Sequence, residues 1–228
     1  MLFSIEEAKA RGLKNLTEFE AKEILKAAGI PVVKTLLARS KKEAQQFAAS
    51  IGYPVAMKIS SRELLHKTEA GGVSLDLNGA EEVGLAYDRM LKNIMTKYPC
   101  STIEGVTIQP MISKGVEVVI GVTLDPQFGP MVMFGLGGIF VEILKDVSFR
   151  IVPLTEEDAY EMIYDIRGRS LLEGVRGAEP VKIEALAEIL LKLSRFVEAN
   201  QEIKELDINP LLADSRGSVA VDARIILK

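Results

Sequence analysis

The residues of this chain that could do chemistry are few and widely spaced. Its only histidine, His66, stands in the polar loop SSRELLHKTEAGG. A solitary histidine is more often a surface residue or a satisfied polar group than a functional one. Here the context favours a role, because the Gly71–Gly72 pair behind it lets the backbone turn sharply or approach a phosphate closely. A neutral imidazole is a good nucleophile toward phosphorus and a good leaving group afterwards. Lys58 interrupts the apolar run VAMKIS. It is either an edge-strand lysine extending its amine to water or a cation held toward nucleotide phosphates. Near the carboxy terminus, Asp207 and Asn209 in LDINPLL have the period-2 spacing that puts both on one face of a strand. Asp222 interrupts the apolar segment VAVDARI. Buried acids cost free energy unless paired or metal-bound. Both segments read as strands, where cap and turn roles for Asp and Asn do not apply. Two adjacent strands presenting amide and carboxylate oxygens suit Mg2+ with a nucleotide. Glu117, at the head of VEVVIGV, is either a solvated face residue or an acceptor for a ribose hydroxyl. The turn GLGGIF, with Gly137 and Gly138, either offers free backbone N–H groups to an anion or simply turns the chain between sheets.

The elements that must position these groups follow from local signals. Thr17 and Glu20 form a capping box ahead of the stripe Leu16, Phe19, Ile24 and Leu25, and Gly29 and Pro31 end that helix. Ser40 caps a second helix that stops at Gly52. Val55–Ser60 reads as a buried strand, residues 60–71 as a loop, and Gly72–Leu77 as a strand. A helix fills Ala80–Tyr98. From Val106 the texture turns to strands: VTIQPMI, VEVVIGVTL, PMVMFGL, and then Phe149–Leu154. Thr155 with Asp158 opens another helix, and a long one runs over Val181–Ala199. EIKELDINPLL and SVAVDARIIL close the chain, joined by a turn over Asp214–Gly217. Hairpin-like pairs dominate the second half, which predicts an α+β architecture with mixed or antiparallel sheets flanked by helices. The two lobes are expected at residues 1–108 and 109–228, meeting near Gln109.

Composition excludes several classes of function. The chain has 228 residues, 48% of them apolar, enough for a sizeable core. Its net charge is −4, with Lys and Arg scattered rather than clustered, against nucleic acid or an anionic membrane as the main partner. One cysteine, Cys100, forbids an internal disulfide and suits a reduced, cytoplasmic protein. The start MLFSIEEAKARG has no apolar signal region, and no run is long enough to span a bilayer. GIPVVKT lacks the glycine of a P-loop before its lysine, having Val33 there. GLGGIF has Phe140 where a dinucleotide fingerprint needs its third glycine. One His and one Cys cannot assemble the usual zinc site.

Together the segments LLHKTEAGGV, QPMI with GVEVVIGV, MFGLGGIFVEILKDVSFRIVPL, and LDINPLL with VDAR resemble the beta subunit of ADP-forming acetyl-CoA (acyl-CoA) synthetases. These belong to the ATP-grasp superfamily and are related to succinyl-CoA synthetase. The resemblance runs from LTEFEAKEILKAAGIPV to VAVDARIIL. It implies an ATP-grasp fold and the reaction acyl-CoA + ADP + phosphate to acid + CoA + ATP and its reverse, with Mg2+ and ADP/ATP bound here. It also implies a separate CoA-binding alpha subunit, in an α2β2 heterotetramer, and acyl specificity lying mostly in that subunit. His66 matches the second phosphohistidine of the relay and Lys58 the phosphate lysine. Asn209 and Asp222 match the magnesium ligands, and Asp207 the acid that supports the phosphorylated histidine. Gln109 and Met111 flank the hinge whose backbone holds adenine, and Glu117 matches a nucleotide contact. For Arg150 and Arg169 the role stays open, a phosphate contact being one reading. Asp207 has an obvious partner in His66, whose tautomer it would fix, with a water-mediated metal contact as the alternative. Two rivals stand against this reading. A carboxylate–amine ligase of the same superfamily needs no phosphohistidine, and a non-catalytic nucleotide-sensing module would be expected to lose His66, Asn209 or Asp222.

Overall fold

The computed structural model describes residues 3–64, 66–112, 114–138, 140–175 and 177–228; Leu65 of the histidine loop and Ile139 of the GLGGIF turn lie outside them. By its contacts the chain divides into two units, Met1–Val32 with Ser113–Lys228, and Val33–Ile112.

The Val33–Ile112 unit is a four-stranded sheet with two helices. Its strands β1 (Leu36–Ala38), β2 (Val55–Ser60), β3 (Val73–Leu77) and β4 (Gly105–Pro110) run in the order β1-β4-β2-β3, all antiparallel. Ser40 accepts from the Glu43 amide and opens a helix over Lys41–Ile51, which ends where Gly52 takes φ +93°. A second helix covers Ala80–Lys97. Val55, Met57 and Ile59 of β2 and Val106 and Ile108 of β4 alternate into a core with Ala44, Ala48, Val83, Met90 and Ile94 from the helices.

The other unit carries a six-stranded antiparallel sheet, β10-β8-β5-β6-β7 with β9 added against β8. The strands are β5 (Val116–Asp125), β6 (Gly129–Leu136), β7 (Val147–Ile151), β8 (Ile203–Ala213), β9 (Ser218–Ala220) and β10 (Ala223–Leu227). Helices α5 (Glu156–Asp165) and α6 (Ile183–Ala199) supply much of its core. Thr155 and Asp158 form the complete capping box of α5.

Residues 1–32 join this second unit rather than the amino-terminal lobe of the 1–108 division. The helix α2 (Glu18–Ala27), capped as expected by Thr17 and Glu20, buries Ala21, Ile24 and Leu25 against the β10 side of the core. The Leu16 amide donates to the Ile225 carbonyl, Asn15 bridges to Ile226, and Val32 makes a parallel bridge to Ala220. Those long-range backbone bonds outweigh the sequence adjacency that put 1–32 with 33–108. Among the described residues, no helix is long and apolar enough to cross a membrane.

Candidate functional site

In the Val33–Ile112 unit the site residues occupy one sheet face and one loop. Because Val55, Met57 and Ile59 point into the helix-covered core, Ala56, Lys58 and Ser60 point to the opposite face. Across β4, Thr107 is registered with Lys58 and Gln109 with Ala56. Lys58, Ser60, Thr107 and Gln109 are all buried. This sheet therefore presents a second face that is both polar and closed from solvent, unlike the solvated outer face of an ordinary antiparallel sheet. Lys58 is 6% exposed on an interior strand, so the reading of an edge lysine extending to water is overturned. Thr35 donates to the Gln109 side-chain carbonyl at 3.5 Å. Among the described residues the buried Ser60 hydroxyl has no hydrogen-bond partner. Met111, half-buried, gives its amide to the Pro54 carbonyl at 3.1 Å.

β2 runs directly into the histidine loop. Leu64 and Ala70 anchor that loop in the core, and His66 between them is exposed. The His66 carbonyl accepts from the Ala70 amide at 3.1 Å, and the Gly72 amide returns to the Lys67 carbonyl at 2.7 Å. Gly72 in turn accepts from the Ile59 amide at 2.7 Å. A Cβ on Gly72 would stand 2.5 Å from Ile59 Cγ2, so only glycine lets the turn close onto β2. The imidazole is thus presented outward from a backbone fixed at both ends.

In the other unit the acids gather where β8 meets β9 and β10. Leu206 and Ile208 of β8 face the core, which turns Glu205, Asp207 and Asn209 to the other side. Asp222 lies in the break between β9 and β10 rather than inside a strand, a correction to the sequence expectation. The break follows from Pro210, which has no N–H for the ladder. Around it the Asn209 amide donates to the Asp222 carbonyl at 3.3 Å and the Val221 amide to the Pro210 carbonyl at 3.0 Å. Asn209 and Asp222 are therefore cross-strand neighbours. One amide oxygen and one carboxylate are hard donors, few in number, which fits an ion that keeps water and takes its remaining oxygens from phosphates. Asp207 is registered with Arg224 on β10 and with Gly121 on β5. Burial pushes its carboxyl above the usual range, the charge of Arg224 opposes that, and Asp222 adds to it.

At the head of β5, Glu117 is exposed and meets the glycine turn. The Gly137 amide donates to the Glu117 carbonyl at 2.7 Å, and a Cβ on Gly137 would stand 3.0 Å from Glu117 Cβ. Gly138, at φ +59°, lies beside the Glu117 carboxylate. The Gly137 N–H is thus spent on Glu117, so for that amide the plain-turn alternative of the sequence reading fits and the anion cradle does not. Arg150 is held by Glu161 at 3.1 Å and Asp165 at 2.7 Å, and Arg169 pairs with Glu173 at 4.0 Å. Both are engaged with acids of their own surroundings.

The family model of the ATP-grasp domain matches residues 7–227. The beta subunit of ADP-forming acetate–CoA ligase I of Pyrococcus furiosus is 51% identical over 223 residues, 98% of this chain and 96% of that one. The chain belongs to the beta-subunit family of ADP-forming acetate–CoA ligases. A structure of the Ca. Korarchaeum cryptofilum acetyl-coenzyme A synthetase 1, with coenzyme A and Ca-AMPCP, superposes on it with a TM-score of 0.95 at 47% identity, covering 98% of both chains. Another structure of that enzyme, with coenzyme A and Mg-AMPPCP and its phosphohistidine segment pointing towards the nucleotide-binding site, matches with a TM-score of 0.86 at 45% identity, again over 98% of both.

For a member of this ligase family, the structure groups Lys58 with Gln109 on one sheet face, Asp207 with Asn209 and Asp222 at one strand junction, and Glu117 with Gly137 and Gly138. Sequence reasoning missed Ser60, Thr107 and Arg224. The first two could have been found from their period-2 spacing with Lys58 and Gln109. Arg224 carried the same signal two residues after Asp222, in VDAR.

Proposed function

We propose that this chain is the nucleotide-handling beta subunit of an ADP-forming acid:CoA ligase, which with a CoA-binding alpha subunit interconverts acyl-CoA + ADP + phosphate and acid + CoA + ATP. The observation that carries the reading is His66. It is the chain's only histidine, exposed on a turn that Leu64, Ala70 and Gly72 hold in place, in a chain of this ligase family.

In the ATP-forming direction the phosphoryl group arrives on His66 from the alpha subunit. A terminal oxygen of ADP attacks the phosphorus, the P–O bond forms, and the P–N bond breaks. Its electron pair returns to the ring nitrogen, leaving a neutral imidazole. Little covalent chemistry is asked of the protein beyond that, so positioning and charge carry the rate. Lys58, buried on a polar face, supplies positive charge to the phosphates. The backbone around Gln109 and Met111 takes the adenine, and Glu117, braced by Gly137 and Gly138, takes a ribose hydroxyl. Asn209 and Asp222 would hold Mg2+, whose chemistry is to neutralise the charge shared between nucleotide and transferring group. Asp207 accepts a hydrogen bond from the N–H of one His66 ring nitrogen and so turns the other toward phosphorus. The working assembly is an α2β2 heterotetramer in the cytoplasm. A ligase that makes its acyl phosphate directly on ATP has no use for an exposed histidine on such a turn.

Reconstitution tests this reading. The purified chain should bind Mg·ADP but leave acetyl-CoA, ADP and phosphate unconverted, and adding the alpha subunit should start ATP synthesis. Sustained acyl-CoA-dependent ATP synthesis by the chain alone would refute it.

A further inference from the structure

The arginines of this chain differ in how they are used. Arg150 is saturated by Glu161 and Asp165, Arg216 by Asp214 at 2.6 Å, and Arg62 by Glu104 at 3.0 Å. Among the half-buried arginines of the described residues, Arg224 is the exception. It is half-buried on the outward side of β10, directly across from Asp207, with Ala223 and Ile225 on either side of it turned into the core. Its charge reaches Asp207, yet among the described residues it makes no hydrogen bond and no ion pair. A guanidinium drawn partly out of water without a partner is unfavourable. Its five N–H donors form a rigid planar fork that matches two oxygens of a carboxylate or a phosphate. Among the described residues Asp207, registered opposite it, makes no ion pair with it. Asn209 lies on the same side of the sheet, and Asp222 lies two residues before Arg224.

We propose that Arg224 donates to a phosphate oxygen of the nucleotide whose metal ion Asn209 and Asp222 hold. This inference rests on the Mg·nucleotide reading above and adds a phosphate-binding residue to it. The strand geometry explains the role: β10 holds the Arg224 backbone opposite Asp207 and two residues from Asp222, so the fork is carried on the same side of the sheet as the metal pair.

The test measures binding to the full chain of Mg·ADP and of adenosine, which lacks phosphates, in wild type, Arg224→Gln and Arg224→Lys. Arg224→Gln should weaken Mg·ADP about tenfold or more, the worth of a charge-assisted hydrogen bond, and leave adenosine unchanged. Arg224→Lys keeps the charge and loses the fork, so it should fall between the two. With ADP saturating, the Mg2+ concentration needed for half-saturation should not rise in Arg224→Gln; a rise there would make Arg224 a support of the metal site and overturn the proposal. Unchanged Mg·ADP affinity in Arg224→Gln, or an equal loss of adenosine, overturns the proposal, the latter assigning Arg224 a purely structural part. If Arg224→Gln does not fold, Arg224→Lys decides: a selective loss of Mg·ADP supports the proposal and no loss overturns it. Failure of the wild-type chain to bind Mg·ADP would instead overturn the nucleotide reading itself.

Discussion

The two regions to which chemistry is assigned in the proposed function are built in opposite ways. His66 stands exposed on a loop, its backbone closed into a turn by Gly72 and its flanks sunk into the core by Leu64 and Ala70. Asn209, Asp222 and Asp207 sit where three strands meet, their backbones locked by ladder bonds to β8, β9 and β10. The difference matches the two tasks proposed for them. A metal–nucleotide cradle needs oxygens held to a fraction of an ångström, which strands provide better than loops. A covalent carrier needs only that its nitrogen be presented, and loops on a rigid scaffold do that. The general lesson is that a residue's element predicts what its loss should damage: rate at the loop, metal and geometry at the strands.

That contrast can be broken by experiment, and the largest effect is expected at the loop. His66→Asn should abolish the overall ligase reaction, at least a hundredfold loss, given the losses of about that size or more usual for essential groups. Mg·ADP affinity should stay within a factor of about two, since the side chain is a way-station and not a binding group. Steady-state assay with calorimetry checks both, and a His66→Asn variant keeping a tenth of its turnover would end the relay account. Exchange of label between acyl-CoA and acyl phosphate on the alpha subunit should survive in it.

Next comes Asp207→Asn, which tests whether a strand residue serves the loop. Phosphorylation of His66 from ATP should slow roughly a hundredfold while the Mg2+ requirement hardly moves, because a misassigned ring tautomer is the defect. A rate restored by extra Mg2+ would instead make Asp207 a metal group. Asn209→Ala and Asp222→Ala should follow, each raising the Mg2+ concentration for half-maximal rate at least about tenfold, with partial rescue at high Mg2+. Equal activity at ordinary Mg2+ in both variants would remove them from the site. The smallest effect should be Gly72→Ala. Its new Cβ meets Ile59 Cγ2 at 2.5 Å, so a loss of about 1–3 kcal/mol in stability is expected from thermal melts. Nucleotide affinity should be kept.

Much of this was legible before the structure because the signals were local. The capping boxes of Thr17 with Glu20 and Thr155 with Asp158 lie within four residues, and both helices begin where they predict. The period-2 pair Asp207 and Asn209 does share a strand face. What escaped depends on distant pairing. Residues 1–32 join the six-stranded sheet through bonds from Asn15 and Leu16 to Ile226 and Ile225, about two hundred positions away along a chain of 228. Arg224 acquires its meaning only once β10 is registered on β8, which sets it opposite Asp207. Arg150 meets its partners Glu161 and Asp165 only once α5 packs beside β7. The strand expected at Phe149–Leu154 lies instead at Val147–Ile151, where its backbone pairs with β6 and Ser148 buries its hydroxyl on the Met162 carbonyl.

The central claim, that a phosphoryl group passes through His66, is tested most directly by following the group itself. The chain, assembled with the alpha subunit and given ATP labelled in its γ-phosphate, is quenched in alkali and digested to peptides. The account predicts an acid-labile, alkali-stable label on the peptide that carries His66, discharged to ATP when unlabelled ADP is added and missing from His66→Asn. A beta-chain label that persists in His66→Asn, or wild-type turnover with no label on that peptide, would contradict it.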